Sequence, residues 1–168
     1  MSAQMNENMI GSLTEASKLE IDKWVSKYPA DQKQSAVMAA LRIVQDANSG
    51  CLSTELMNQV AQYLEMPPIA VYEVASFYSM YEHKPVGKYK ISVCSNISCL
   101  LCGSDGVLEH LHNKLGIKPG ETTGDGKFTL KEVECLGACV GAPMMQIGRD
   151  YYEHLTPDSI DTIIDQLD

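Results

Sequence analysis

The sequence predicts an α+β chain in two parts, an N-terminal helical bundle over residues 1–82 followed by a small α/β domain over residues 83–168. Three observations carry that reading. Between Thr14 and Tyr78 apolar residues recur four times at i, i+3, i+4, i+7, the spacing of a helix with one buried face. From Lys88 onwards short runs alternate polar and apolar as half-buried strands do, with helical stretches between them. Four of the six cysteines fall in two close pairs, each directly behind one of those strand-like runs.

In the first half the helical faces are Ile21, Trp24, Val25 and Tyr28; Val37, Ala40, Leu41 and Val44; Met57, Val60, Ala61 and Leu64; and Val71, Val74, Ala75 and Tyr78. Pro29 ends the first helix, and Gly50 lies just past the second, which is expected over about residues 31–48. Ser53 is placed to cap the third, while Pro67 and Pro68 open the fourth. Trp24 and the tyrosines, at helical spacing, are expected in the core, and Cys51 between the second and third helices as a small thiol of the packing. Short helices without a polar constellation pack or bind, so this half reads as an interaction domain, with residues 1–12 a mobile tail. The run Glu82-His-Lys-Pro-Val-Gly87 has the Pro and Gly of a linker.

The second half opens with a strand over Lys88–Val93, its Tyr89, Ile91 and Val93 on one side. A helix over Ser104–Leu115 follows, with Gly116 beyond its end. After the Asp125-Gly126 turn comes a second strand, Phe128–Val133. Met144–Ile147 and Tyr151-Tyr152 flank Gly148-Arg149-Asp150 as a hairpin. Thr156 and Pro157 are an N-cap and a first-turn proline for a last helix carrying Ile160, Ile163, Ile164 and Leu167. The order β-α-β-β-β-α makes the first two strands parallel neighbours. It is the order of a thioredoxin-like core, and it sends both cysteine loops out of the same end of the sheet.

The first loop is Cys94-Ser-Asn-Ile-Ser-Cys99, the second Cys135-Leu-Gly-Ala-Cys139. Two such pairs make a cage of four thiolates, and soft sulfur donors select iron–sulfur clusters or zinc over hard cations. Gly137 permits positive φ and Ala138 adds little bulk, so backbone N–H groups can turn towards sulfur. Cys102 opens an alternative. Cys94-x4-Cys99-x2-Cys102 is the plant-type ferredoxin spacing, which would recruit Cys135 as fourth ligand, and Cys99-Leu-Leu-Cys102 has the form of a dithiol redox motif. Both leave the C-x3-C pair unexplained. Structural zinc is a third alternative, although its sites favour C-x2-C knuckles narrower than these loops. His83, His110, His112 and His154 have no partner at ligand spacing.

A formal charge of −9 on 168 residues argues against nucleic acid or an anionic membrane as direct partner. No apolar run is long enough to span a bilayer, and residues 1–12 have neither the features of a secretory signal nor the Arg of a transit peptide. The expectation is a cytoplasmic bacterial protein, where paired cysteines are ligands sooner than disulfides. No G-x-G-x-x-G follows a strand, so neither an NADH nor an FMN site is expected on this chain alone.

The run Asp125-Gly-Lys-Phe-Thr-Leu-Lys-Glu-Val-Glu-Cys135-Leu-Gly-Ala-Cys139-Val-Gly-Ala-Pro143 resembles the signature D-x2-F-[ST]-x5-C-[LI]-G-x-C-x2-[GA]-P. That signature belongs to the thioredoxin-like 2Fe–2S subunit family of the NADH-oxidising module of respiratory complex I, the NADH-quinone oxidoreductase. Ile117-Lys-Pro-Gly120, Val74-Ala-Ser-Phe-Tyr78 and Lys84-Pro-Val-Gly87 are similar to other family segments, so the resemblance covers residues 30–168. It implies a thioredoxin-like α/β 2Fe–2S ferredoxin domain behind the helical bundle, with one cluster held by Cys94, Cys99, Cys135 and Cys139 and Cys102 a bystander. It implies electron exchange with the FMN of a partner subunit that also binds NADH. The host would be the peripheral arm of a complex on the cytoplasmic side of the bacterial inner membrane, without insertion of this chain. The family is also similar to parts of NAD-linked hydrogenases and formate dehydrogenases, which the sequence does not separate from complex I.

Overall fold

The structure, a computed structural model, describes residues 11–167; most of the expected N-terminal tail, residues 1–10, lies outside the described residues. The chain divides into two compact units, one up to Pro85 and one from Val86.

The first unit is all helical. α1 (Glu15–Val25) starts at Thr14, whose hydroxyl accepts from Ser17 N at 3.1 Å. It ends earlier than the apolar spacing suggests. Pro29 disfavours helical backbone at Tyr28, and the chain tightens into i→i+3 bonds from Lys27 N to Trp24 O and from Tyr28 N to Val25 O. The stripe therefore stops at Val25, and the core expected of Trp24 and Tyr28 is not found. Trp24 is 40% exposed, with Lys27 Nζ 3.5 Å from its ring centroid.

α2 (Val37–Ala47) is shorter than residues 31–48. No side chain caps the chain at Gln32, and the first turn is a 3-10 segment, Lys33–Ala36. α3 (Thr54–Tyr63) is capped by Ser53, which accepts from Leu56 N at 3.2 Å, and α4 (Pro68–Phe77) starts on its proline. Ile21, Leu41, Val44, Leu56, Val60 and Val71 fill the core between them. Buried Gln45 ties the end of the unit down by donating to Met80 O and accepting from Glu82 N.

The second unit is a four-stranded sheet with helices. β1 (Tyr89–Cys94) is followed by a short α5 (Ile97–Leu101) and by α6 (Ser104–Leu115). Next come β2 (Phe128–Val133), β3 (Met145–Ile147), β4 (Asp150–Tyr152) and α7 (Pro157–Asp165). Strand order is β2-β1-β3-β4, with β1 parallel to β2 and the remaining pairings antiparallel. This is the expected order, with α5 added. Tyr89, Ile91 and Val93 share one face with Phe128, Leu130, Met145 and Ile147, and that face packs on Val107 and Leu111 of α6 and on Ile160 and Ile164 of α7. Gly116, at φ +68°, ends α6 in the left-handed conformation. A reciprocal pair of hydrogen bonds between Thr156 and Ser159 opens α7.

Candidate metal centre

The site is a product of sheet polarity. Cys94 is the last residue of β1 and pairs with Val133, the last of β2, so Cys135 leaves two residues beyond the same rim. Ser95 N donates to Val133 O at 3.0 Å, and Asn96 Nδ2 to Glu134 Oε2 at 2.8 Å, which fastens the first loop to the start of the second. Within α5 the backbone turns at once, returning Cys99 to hydrogen-bonding reach of Cys94. The start of β3 supplies the floor. Met144, 1% exposed, packs with buried Cys94 and Cys99, and Leu136, Ala138 and Ala142 from the second loop close on the same cluster.

The four thiols stand as two pairs. Cys135 Sγ and Cys139 Sγ are 3.6 Å apart. Two thiolates on one tetrahedral metal, with bonds of about 2.3 Å, stand about 3.8 Å from each other, so this pair has the spacing of ligands to a single ion. Among the described residues, no group of three or more His, Cys, Asp or Glu side chains converges for one metal ion.

Donors are already aimed at the sulfurs. Gly137, at φ +84°, directs its N–H to Cys135 Sγ at 3.4 Å. The backbone N–H of Met144 favours the thiolate of Cys99, and the Ser98 hydroxyl of the first loop favours that of Cys139 in the second. Crowding works against these donors. The Cys99 thiol is pushed up to about 11, first by burial and then by the neighbouring Cys94, while Met144 N–H pulls it down. Cys139 is also raised, first by its hydrogen bond with Cys135, and Ser98 opposes that. Sulfurs that raise one another's pKa ionise together only with positive charge between them, which is the condition a metal cluster meets.

Comparison with known proteins identifies the group. Residues 21–168 match the family of thioredoxin-like [2Fe-2S] ferredoxins. The chain belongs to that family. Its cofactor is one 2Fe–2S cluster, and the two thiol pairs with their N–H and O–H donors fit such a group. Among relatives of this ferredoxin, a subunit of the NADH-quinone oxidoreductase of Rickettsia bellii is 50% identical over 143 residues, covering 85% of this chain and 86% of its own. The mitochondrial NADH dehydrogenase [ubiquinone] flavoprotein 2 of Dictyostelium discoideum is 42% identical over 162 residues, 96% of this chain and 66% of that one. Among solved structures, an NAD+-reducing [NiFe]-hydrogenase in the air-oxidised state superposes with a TM-score of 0.67 at 22% identity. It covers 81% of this chain and 24% of the hydrogenase chain, and the likeness is one of fold.

The fold thus sets the Cys94–Cys99 pair and the Cys135–Cys139 pair at the same rim of the sheet. Cys102 is exposed at the end of α5. Cys51 is half-buried in the helical unit, its pKa raised by that burial. The histidines bond elsewhere. His83 bonds Ala75 O, half-buried His112 bonds Ile117 O and half-buried His110 bonds Asp161. Sequence reasoning missed Ser98, Met144 and Tyr151, whose hydroxyl donates to Leu136 O at 2.7 Å. Ser98 was findable as the hydroxyl beside Cys99; Met144 acts through its backbone and its burial, which no spacing marks.

Proposed function

We propose that this chain is the electron-transfer subunit of an NADH:quinone oxidoreductase, holding its 2Fe–2S cluster on Cys94, Cys99, Cys135 and Cys139. The meeting of two thiol pairs at one rim of the sheet, over a common floor at Met144, carries the reading. Relatives 42–50% identical and named as subunits of such complexes favour this host over a hydrogenase, to which the likeness is one of fold.

When bound, the cluster supplies a one-electron carrier. The residues of the chain do the rest. Cys94 and Cys99 hold one side of it in the buried part of the rim, and Cys135 and Cys139 hold the exposed side. Met144 excludes water from beneath, and the donors from Gly137, Ser98 and Met144 offset negative charge on sulfur. Ile97, Leu101 and Val140, in or just beyond the thiol loops, are exposed large apolar side chains, which suits docking of the partner subunit that binds FMN and NADH. The helical unit up to residue 82 serves as a second attachment within the peripheral arm. No helix among the described residues is long and apolar enough to cross a membrane. The reading places the chain on the cytoplasmic side of the bacterial inner membrane, held there by other subunits.

The test is purification of the intact chain, iron and acid-labile sulfide analysis, and EPR of the reduced protein. Equal iron and sulfide and a 2Fe–2S signal, lost in Cys135→Ser and kept in Cys102→Ser, support the assignment. A colourless zinc protein refutes it, and loss of the cluster in Cys102→Ser with retention in Cys139→Ser transfers the site to the plant-type set. Co-purification with an NADH-oxidising flavoprotein tests the host.

A further inference from the structure

We propose that Tyr151 sets the reduction potential of the cluster, by holding the Leu136–Gly137 peptide so that its N–H faces Cys135. The inference rests on the reading of Cys135 as a ligand. Tyr151 Oη donates to Leu136 O at 2.7 Å, and Gly137 N donates to Cys135 Sγ at 3.4 Å. These two groups belong to the same peptide. The only cis bond among the described residues is Ala142–Pro143, so this peptide is trans and its C=O and N–H point in opposite directions. Fixing the carbonyl on the tyrosine therefore fixes the N–H on the sulfur.

Little else holds the plane. A Cβ added at Gly137 would meet nothing within 4 Å, and glycine takes either sign of φ at small cost. Without the hydroxyl, the peptide is free to turn over and present its oxygen to the sulfur. Tyr151 itself is placed by the sheet. It pairs with Gln146 across the β3–β4 ladder, on the face turned away from Met145 and Ile147, and the residue is 48% exposed. Its hydroxyl bond is thus not a by-product of core packing. A hydrogen bond to thiolate sulfur favours the more negative, reduced state, so its loss lowers the potential. Tyr151 is a positioning residue, acting through the peptide.

The experiment is Tyr151→Phe in the cluster-loaded full chain, read by EPR-monitored redox titration and by resonance Raman in H2O and D2O. The expected result is unchanged iron and sulfide content, a lower midpoint potential, and loss of part of the deuterium sensitivity of the Fe–S bands. Gln146→Ala is the control, because it removes the bond from Gln146 Nε2 to Gly148 O in the same hairpin without touching Leu136. It should leave the potential where it was. An unchanged potential in Tyr151→Phe, or an equal shift in both variants, overturns the proposal. Retention of the native signal in Cys135→Ser would instead sink the ligand reading beneath it.

Discussion

Replacing Met144 by alanine separates the floor of the site from its ligands. The side chain is 1% exposed and lies among Cys94, Cys99, Leu136, Ala138 and Ala142. The variant removes Cγ, Sδ and Cε. At about 0.8 kcal/mol for each buried methylene-sized group the transfer loss is about 2.4 kcal/mol. The hole left behind adds about 1 kcal/mol, at about 24 cal/mol per Å³ for a remnant of about 40 Å³. Both contacting loops can relax inward, which moves the total to about 2–3 kcal/mol. The backbone bond from Cys94 N to Met144 O survives, so the backbone at the rim keeps its place. The assay is urea unfolding followed by the visible absorbance of the cluster, which reports on the second unit. Met144→Leu, close to volume-conserving, should cost less than about 1.5 kcal/mol in the same assay. A Met144→Ala loss below about 0.5 kcal/mol, within the range of an ordinary surface change, would show that the loops do not depend on a common floor.

Three further outcomes follow from the second unit. Ser98→Ala removes the first-loop hydroxyl that favours the Cys139 thiolate, and the cluster should be lost to a chelator faster than in the parent, measured as the decay of visible absorbance. Thr156→Ala removes the hydroxyl that accepts from Ser159 N at the start of α7 and should cost about 0.5–2 kcal/mol in urea unfolding. Asp161 has its pKa lowered below 3.8, first by His110 and then by Lys114, so its share of stability is complete above 3.8 and is lost as pH falls through the folded value. Lys114 is raised above 10.5, chiefly by Asp165, so its share is complete below 10.5 and is lost as pH rises through the folded value. Amide exchange in α7 should accelerate at those two ends, and Asp161→Asn should abolish the acid arm.

Legibility in this sequence follows punctuation. The helix Ser104–Leu115 and the strand Phe128–Val133 fall where the residues place them, because Gly116 and Asp125-Gly126 mark their limits with backbone that few other residues adopt. α1 runs short because the apolar spacing extends to a proline-restricted Tyr28 that the helix does not reach. α5 was invisible for a different reason. Its Ile97, Leu100 and Leu101 are exposed and only Cys99 is buried, so it lacks the apolar stripe by which helices are read. At the centre, the two close cysteine pairs were legible from spacing and their convergence from the parallel order. The contacts of Ser98 with Cys139 and of Tyr151 with Leu136 were not, since they join residues that only the folded rim makes neighbours.

That rim explains why a sheet of four short strands suffices. β1 and β2 run the same way, so their ends deliver Cys94 and the approach to Cys135 side by side. β3 runs against β1, so its beginning arrives where β1 finishes: Val93 pairs with Met145, and Met144 sits one residue outside that pair. β4 turns back again, and Tyr152 pairs with Met145, which sets Tyr151 at the same edge. Every strand thus contributes to one border, two by ending there with sulfur, one by starting there with the floor, and one by finishing there with a hydroxyl. Had β2 paired antiparallel to β1, Cys135 would leave from the opposite border, separated from Cys94 by the six paired residues of β1, or about 20 Å of strand. No loop of three residues between Cys135 and Cys139 closes that distance. The parallel pairing is therefore the feature of this fold on which the metal centre depends.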